Sequence, residues 1–317
     1  MKQLVTGGAG FIGSNYVRYI LENTEDEVVI YDALTYAGNI STIHDLLDSK
    51  RVSFVRGNIC DPLLLNKTMK GVDSVVHFAA ESHVDRSIES PDDFILTNCF
   101  GTNVVMQAAS NLGIGRILHI GTDEVYGSVE VGSSLETDPL EPRSPYSASK
   151  AASDLIALSY HHTHGLPVMV TRCTNNFGPF QYPEKAIPLF ITNLLQGKKI
   201  PLYGDGLNER DWIHVEDHCS GVYKVLTSGT AGEIYNIGAG NETPNRKLVD
   251  MILDLMGHEE SSVEYIEDRK GHDRRYSVNT GKTTSLGWRK KHSLEWSLME
   301  TIAWYKRNKW WWEPLKK

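Results

Sequence analysis

A tyrosine and a lysine stand four residues apart in Tyr146-Ser-Ala-Ser-Lys150, so a phenol and an ammonium share one face if the segment is helical. A neighbouring ammonium favours phenolate and draws a tyrosine toward the working range of a general base, which is the chemistry this pair could perform. The same spacing occurs in surface pairs without chemistry, so a second feature is needed to give it meaning. Gly7, Gly10 and Gly13 supply one, spaced GxxGxxG directly after a first candidate strand and at the mouth of a first candidate helix. Glycine permits a tight turn and close approach of backbone to a pyrophosphate, while the helix N-terminus offers unpaired N–H groups and partial positive charge. Alone, such a pattern could be only a strand-to-helix turn. Asp32, nineteen residues beyond Gly13 at the end of a second candidate strand, changes that balance. Its carboxylate can accept hydrogen bonds from the hydroxyls of an adenosine ribose and would repel a 2′-phosphate, so the expected cofactor is NAD rather than NADP.

The elements that must position these groups follow from the apolar pattern. Ser144-Pro145 forms an N-cap and first-turn pair just ahead of Tyr146, which predicts a helix there. Lys2 to Thr6, Val28 to Tyr31, Val52 to Arg56, Ser74 to Phe78, Ile117 to Ile120 and Val168 to Thr171 are short apolar runs that predict buried strands. Between the first two, Phe11, Ile12, Tyr16, Ile20 and Leu21 fall at helical spacing. Strands alternating with amphipathic stretches predict an α/β fold: a Rossmann-type doubly wound parallel sheet with a smaller α/β substrate-binding lobe. After Asn176, Pro179, Pro183, Pro188 and Pro201 with Gly204 and Gly206 interrupt any long element. The expected division is therefore 1–176 as the NAD-binding domain, with part of 211–240 returning to it, and 177–317 mainly as the substrate lobe. Trp310-Trp311-Trp312 is expected to cap a hydrophobic surface.

Composition narrows the function classes. No stretch of the 317 residues approaches the roughly 20 apolar residues needed to cross a bilayer. The opening MKQLVTGGAGFIG has no charged head, apolar run and cleavage site of a secretory signal, so a soluble, cytoplasmic protein without membrane partners is expected. Cys60, Cys99, Cys173 and Cys219 are isolated, which suggests buried free thiols and neither a disulfide framework nor a metal site. A formal charge of −8 disfavours a nucleic-acid partner, so a phosphorylated ligand would need local Arg and Lys.

The combination of TGGAGFIG, the Tyr-x-x-x-Lys segment and a following Pro/Gly-rich lobe resembles the extended short-chain dehydrogenase/reductase family. Its sugar-nucleotide members include epimerases, decarboxylases and dehydratases. Thr122-Asp123-Glu124-Val125-Tyr126-Gly127 resembles the dehydratase group, whose 4,6-dehydratases are recognised by Thr-Asp-Glu where epimerases have other residues. Adjacent acids after a strand are otherwise most often helix caps or solvated loop residues. Further segments resemble the dTDP-glucose 4,6-dehydratases of the group: Phe78 to Ile88, Thr171 to Asn176, Tyr182 to Lys185, Pro201 to Gly206, Arg210 to Trp212 and Gly271 to Tyr276. Two positions depart from that pattern. Asn58 stands where an aspartate is common, and Lys270 where a proline usually precedes Gly271-His272.

The resemblance implies cofactor contacts from the three glycines and from Phe11, Ile12, Asp32, Leu34, Thr35, Asn58, Ile59, Ala79, Ala80, Thr97, Tyr146, Lys150 and Asn176. It implies substrate contacts from Ser82, Thr122, Asn175, Lys185, Pro201, Leu202, Tyr203, Arg210, Asn245 and His272. Arg210 is chemically apt for a diphosphate because its planar fork makes paired charge-assisted hydrogen bonds, the alternative being an ion pair with Asp211. The implied reaction is oxidation at C4 of a nucleotide-activated hexose such as dTDP-glucose, loss of water across C5 and C6, and return of the hydrogen to C6. Tyr146, supported by Lys150 and Thr122, would serve C4, Glu124 would take the C5 proton and a protonated Asp123 would give a proton to the departing oxygen. UDP-glucose, UDP-N-acetylglucosamine and 4-epimerisation stay open as alternatives, and a catalytically silent NAD-binding scaffold is the rival from another class. Fold analogy implies a homodimer through helices around Thr102 to Leu112 and Tyr146 to His161.

Overall fold

Short runs rich in Val and Ile hold too few residues to bury a helical stripe, and they pair as strands covered on both faces. The computed structural model describes residues 1–268 and 271–316, so Lys270 lies outside the described residues. The strands are β1 (Lys2–Thr6), β2 (Glu27–Asp32), β3 (Val52–Arg56), β4 (Ser74–His77), β5 (Arg116–Thr122), β6 (Val168–Cys173), β7 (Asn175–Phe177), β8 (Ile200–Tyr203), β9 (Glu209–His214), β10 (Ile234–Ile237), β11 (Glu242–Pro244) and β12 (Val263–Ile266). Seven of them form one sheet in the order β10-β6-β5-β4-β1-β2-β3, and every neighbouring pair is parallel. This is the expected doubly wound Rossmann-type sheet. The winding reverses between β1 and β4, which opens a crevice at the carboxyl ends of those strands.

Side chains alternate across the sheet. Val5, Ile30, Val76 and Leu118 face the helices Phe11–Asn23 and Val215–Ser228, while Leu4, Val29, Val75 and Ile117 face Pro62–Met69, Thr102–Leu112 and Pro145–His164. The third of those helices begins as its sequence predicts, with Ser144 accepting from the Ser147 N–H and Pro145 in the first turn. β5 and β6 each run two residues past their expected ends, to Thr122 and Cys173, because the parallel register carries the ladder on to Thr122 opposite Cys173. Thr122 is thus fixed by a strand rather than carried on a loop. Ile234–Ile237, absent from the expected strands, extends the sheet beside β6.

The remaining strands form a three-stranded sheet, β11-β9-β7, and a pair, β12-β8. With the helices Ala186–Leu195, Asn245–Met256 and Leu294–Arg307 they enclose a separate core that includes Phe177, Ile191, Trp212, Leu248, Ile302 and Trp312. Pro188, expected to break an element, lies in the first turn of Ala186–Leu195, where its missing N–H has no intrahelical partner to lose. Of the three C-terminal tryptophans only Trp310 is exposed. Trp311 and Trp312 are core residues rather than a cap, and the Trp311 indole donates to Thr42 Oγ1 at 3.1 Å, tying the chain end to the first lobe. Cys173 and Cys219 are buried, whereas Cys60 and Cys99 are only partly so. Among the described residues no helix is long and apolar enough to cross a membrane.

Candidate active site

The glycine turn sits at the mouth of the crevice. Gly7 adopts φ +70, and a Cβ there would lie 2.7 Å from the Ala79 nitrogen of the strand-end on the other side of the crevice. A Cβ on Gly13 would lie 2.3 Å from the Gly7 oxygen, so the first helix packs onto the turn only because both positions lack side chains. That helix starts at Phe11 with no side-chain cap, leaving its first N–H groups to the cavity. Across the turn, the Asp32 carboxylate accepts from the Ala9 and Leu34 N–H groups at 2.9 and 2.8 Å. Burial still raises its pKa, and those two backbone bonds oppose the shift. Leu34 itself does not line the cavity; at φ +56 it turns the chain so that its N–H meets Asp32.

The acid and base groups converge from β5 and the Pro145–His164 helix. Thr122, at the last position of β5, donates from its hydroxyl to Asp123 Oδ1 and accepts the Glu124 N–H, both at 3.3 Å. Asp123 is 3 % exposed. Burial first, and then the charge of Glu124, push its carboxyl well above the usual carboxylate range, so it is held as the acid. Tyr146 is also driven upward, by burial and then by Glu124 and Cys173, with a hydrogen bond from Thr122 opposing. The expected lowering of Tyr146 by Lys150 is therefore not achieved by the protein's own groups. Lys150 is buried, and its ammonium donates to the Ile120 carbonyl at 2.7 Å. Burial lowers its pKa and Asp154 is the leading opposing charge.

These groups share one cavity of about 330 Å³. It is lined by Gly7, Gly10, Phe11, Ile12, Gly13, Asp32, Thr35, Asn58, Ile59, Ala79, Ala80, Thr97, Tyr146, Lys150 and Asn176 of the expected cofactor set. Ser82, Thr122, Asn175 and Lys185 of the expected substrate set line it as well, with Asp123 and Glu124. The side-chain oxygens of Asn175 and Asn176 are buried without a hydrogen-bond partner among the described residues. Orphaned acceptors beside a glycine turn, an uncapped helix N-terminus and a ribose-suited carboxylate fit a dinucleotide.

The rest of the expected substrate set lies apart. His272 lines a second cavity of about 680 Å³ with Ser128, Arg143, Arg274 and Arg275. Tyr203 stands edge-on to His272 at 6.2 Å between ring centroids. Leu202 is buried in the smaller core, with Pro201 before it in β8, and Asn245 opens the Asn245–Met256 helix while its N–H donates to the Asn208 carbonyl. Arg210 lines neither cavity. Its guanidinium donates to the carbonyls of Glu209 and Asp273 at 2.7 and 2.8 Å and lies over the Tyr276 ring, and its charge acts on Asp123. Asp211 accepts instead from the N–H groups of Ala239, Gly240 and Asn241.

A match to the family described as GDP-mannose 4,6 dehydratase spans residues 4–301. The chain belongs to this family. Within it, a dTDP-glucose 4,6-dehydratase of Streptomyces antibioticus is 53% identical over 324 residues, covering 100% of this chain and 96% of the relative. A dTDP-glucose 4,6-dehydratase of Streptomyces venezuelae, crystallised with NAD, superposes with a TM-score of 0.98 at 53% identity over 100% of both chains. A UDP-glucuronic acid 4-epimerase of Bacillus cereus reaches a TM-score of 0.92 at 26% identity, covering 97% of this chain and 99% of its own. Backbone shape is thus shared across dehydratases and epimerases and does not by itself separate the two.

Sequence reasoning missed several lining residues. Tyr36, Glu81, Tyr182 and Glu184 form part of the cavity wall, with the Arg86 guanidinium over the Tyr36 ring at 3.7 Å and bonded to Glu184 at 3.1 Å. Three of the four lie within or beside segments already singled out, but nothing in their local pattern marks which side chains turn inward. Arg143, Arg274 and Arg275 were likewise passed over although 271–276 was noted, since one segment alone does not reveal a cleft lined by three arginines, each paired with a carboxylate.

Proposed function

We propose that this chain converts dTDP-glucose to dTDP-4-keto-6-deoxyglucose as an NAD-dependent 4,6-dehydratase. The observation that carries the reading is the Thr122-Asp123-Glu124 run at the end of β5, which puts a buried, protonated carboxyl and a second carboxylate into the cavity that holds Tyr146. A 4-epimerase has no use for that second pair. The names of the relatives at 53% identity support the same substrate.

The glycine turn and the start of the first helix would hold the cofactor pyrophosphate, Asp32 the adenosine ribose, and Tyr146 with Lys150 the nicotinamide end. When bound, NAD supplies the acceptor and later the donor for the hydrogen exchanged between C4 and C6, and its positive ring offsets the upward shift of Tyr146. Tyr146 then takes the C4 hydroxyl proton, with Thr122 as its hydrogen-bond partner. The resulting ketone acidifies the C5 hydrogen, which Glu124 removes. Asp123 gives its proton to the C6 oxygen, so water leaves and a 4-keto-5,6-ene remains; as the hydrogen returns to C6, the proton held by Glu124 goes back to C5 and the carboxylate is restored. The arginine-lined cavity of Arg143, Arg274 and Arg275 suits the nucleotide diphosphate, and we assign that end of the substrate to it. Lobe boundaries follow: 1–176 with the returning segment of 211–240 for the cofactor, the remainder of 177–317 for the sugar nucleotide. The unpaired thiols and the absence of any apolar spanning helix among the described residues support a cytoplasmic enzyme.

The test is incubation of the purified enzyme with dTDP-glucose, UDP-glucose and UDP-N-acetylglucosamine, with product mass and cofactor balance followed together. A 4-keto-6-deoxy product from dTDP-glucose without net consumption of NAD is expected. Stoichiometric consumption of NAD, or a C4 epimer of unchanged mass, would replace the reading.

A further inference from the structure

Four residues beyond Lys150, and so on the same face of the Pro145–His164 helix, Asp154 is 0 % exposed. Its carboxylate lies against the backbone of β5: a Cβ on Gly121 would come 2.8 Å from Asp154 Oδ1 and 3.2 Å from Oδ2. The Lys150 ammonium is bonded to the carbonyl of Ile120, the residue just before. A buried carboxylate and a buried ammonium therefore flank one peptide unit of the strand that ends in Thr122-Asp123-Glu124. Asp154 is not used up by its other partner. Arg172 on β6 donates from Nε to Oδ2 at 2.9 Å, while Oδ1 has no hydrogen-bond partner among the described residues.

We infer that Asp154 is a positioning residue for proton transfer, its carboxylate being the counter-charge that keeps Lys150 an ammonium beside Tyr146. The inference rests on the assignment of Tyr146 as the base acting at C4.

Every charged or titratable neighbour bears on this. Lys150 is faced by Asp154 on its own helix, Cys173 on β6, Cys99 on the segment 95–101, and the imidazoles of His119 on β5 and His77 on β4, 5.2 Å apart between centroids and both kept neutral by burial. Asp154 is faced by Arg172 and by His119 on β5, whose Nε2 lies 3.4 Å from Oδ1. Ser153 donates to the Lys150 carbonyl, so its hydroxyl accepts from His119, which makes Nε2 the protonated nitrogen of a neutral ring. Burial favours the same neutral form. Tyr146 itself is faced by Glu124, Cys173, Thr122 and Asp123. The buried cluster then carries Asp154 as its one anion against Arg172 and Lys150. Burial works against Asp154, yet His119, Arg172 and Lys150 together hold it below its ordinary value, so the anion persists across the working range. Removing it leaves two cations in a dry site, and Lys150, the one able to shed its proton, yields.

The test uses the NAD-loaded enzyme and reads the pH dependence of the first turnover with dTDP-glucose, alongside the ¹³Cζ tyrosine NMR titration of Tyr146, assigned with Tyr146→Phe. In Asp154→Asn a neutral Lys150 no longer favours phenolate, so the acid limb and the NMR titration should both move to higher pH by about one unit or more, a tenfold loss of rate below the limb. Asp154→Glu should restore most of the profile. Arg172→Met removes a cation but leaves the Asp154 carboxylate to Lys150, so Lys150 stays an ammonium and neither midpoint should rise as it does in Asp154→Asn, which distinguishes a charge effect from damage to the fold. Unmoved midpoints in a folded Asp154→Asn enzyme, or an equal rate loss at all pH in Asp154→Asn and Arg172→Met, would overturn the inference. Should Asp154→Asn fail to fold, the ¹³Cε NMR titration of Lys150 decides: Arg172→Met should raise its midpoint above that of the wild type, and an unmoved midpoint would overturn the inference. Failure of the wild type to act on dTDP-glucose would instead fail the functional assignment, and the NMR midpoints would still report on Asp154.

Discussion

Asp123 and Glu124 are adjacent in sequence but assigned opposite tasks, and burial is what separates them. Replacing Glu124 with Gln nearly preserves shape and removes only the base, so exchange at C5 should slow by about 10²- to 10⁴-fold while oxidation at C4 persists. Solvent deuterium at C5 and the absorbance of reduced nicotinamide during turnover measure the two steps separately; normal C5 labelling at a normal rate would remove Glu124 from the role. Asp123 carries a stability consequence as well. Its folded pKa lies above the unfolded value near 4, so the native state binds the extra proton and stability falls as pH rises through the window between the two values. Asp123→Asn removes that penalty. At pH 7 the variant should melt about 2 °C or more above the wild type, with the gap closing toward pH 4, while dehydration is lost. Calorimetry from pH 4 to 8 checks it, and a gap that does not depend on pH would contradict the buried-acid assignment.

The turn between β1 and the first helix shows how an element makes a binding site by omission. A Cβ at Gly13 would come 2.3 Å from the Gly7 oxygen, backbone against backbone with nothing flexible to yield, whereas at Gly10 the same atom is 3.3 Å away. Gly13→Ala should therefore cost ~2 kcal/mol or more and empty the enzyme of cofactor, with Gly10→Ala clearly milder. Thermal melting and the NAD content of the purified variants rank the two; equal effects would mean that the helix is not clamped against the turn. At the other end of the crevice, Ser144 and Pro145 fix where the Pro145–His164 helix starts and therefore which residues, Tyr146, Lys150 and Asp154, share its inward face.

On the scale of the whole molecule, the outer face of the first lobe leaves Ile95, Leu96, Phe100 and Leu155 about half exposed on the segment 95–101 and the Pro145–His164 helix, which pack against each other. Apolar side chains on two adjoining helical segments suit a self-complementary interface of two-fold symmetry. Light scattering should give twice the 35.5 kDa chain mass for the wild type and the single mass for Leu96→Glu combined with Leu155→Glu. A monomer at every concentration in the wild type would refute the dimer.

The glycine turn and the Tyr146–Lys150 helix were legible in the sequence because each depends on residues within a turn or two of one another, Asp32 because it closes the strand that follows, and the Thr122-Asp123-Glu124 run through the resemblance it carries. Spacing along the chain is then spacing in space. Thr122 was readable as a residue but not as the last position of a strand, since the length of β5 is set by pairing with β6, some fifty residues away. The wall built by Tyr36, Glu81 and Glu184, the arginine-lined cleft of Arg143, Arg274 and Arg275, and the union of Asp154 with Arg172 and His119 were not legible. Each joins segments that only the strand order brings together. Arg172 is a charge near the end of a buried strand, a sign that something must neutralise it, but which carboxylate does so is decided by the helix that crosses β5 and β6. Local propensity and spacing therefore wrote the individual chemical groups into the sequence, while their shared environments, and with them the protonation states that the chemistry requires, arise only when distant segments exclude water together.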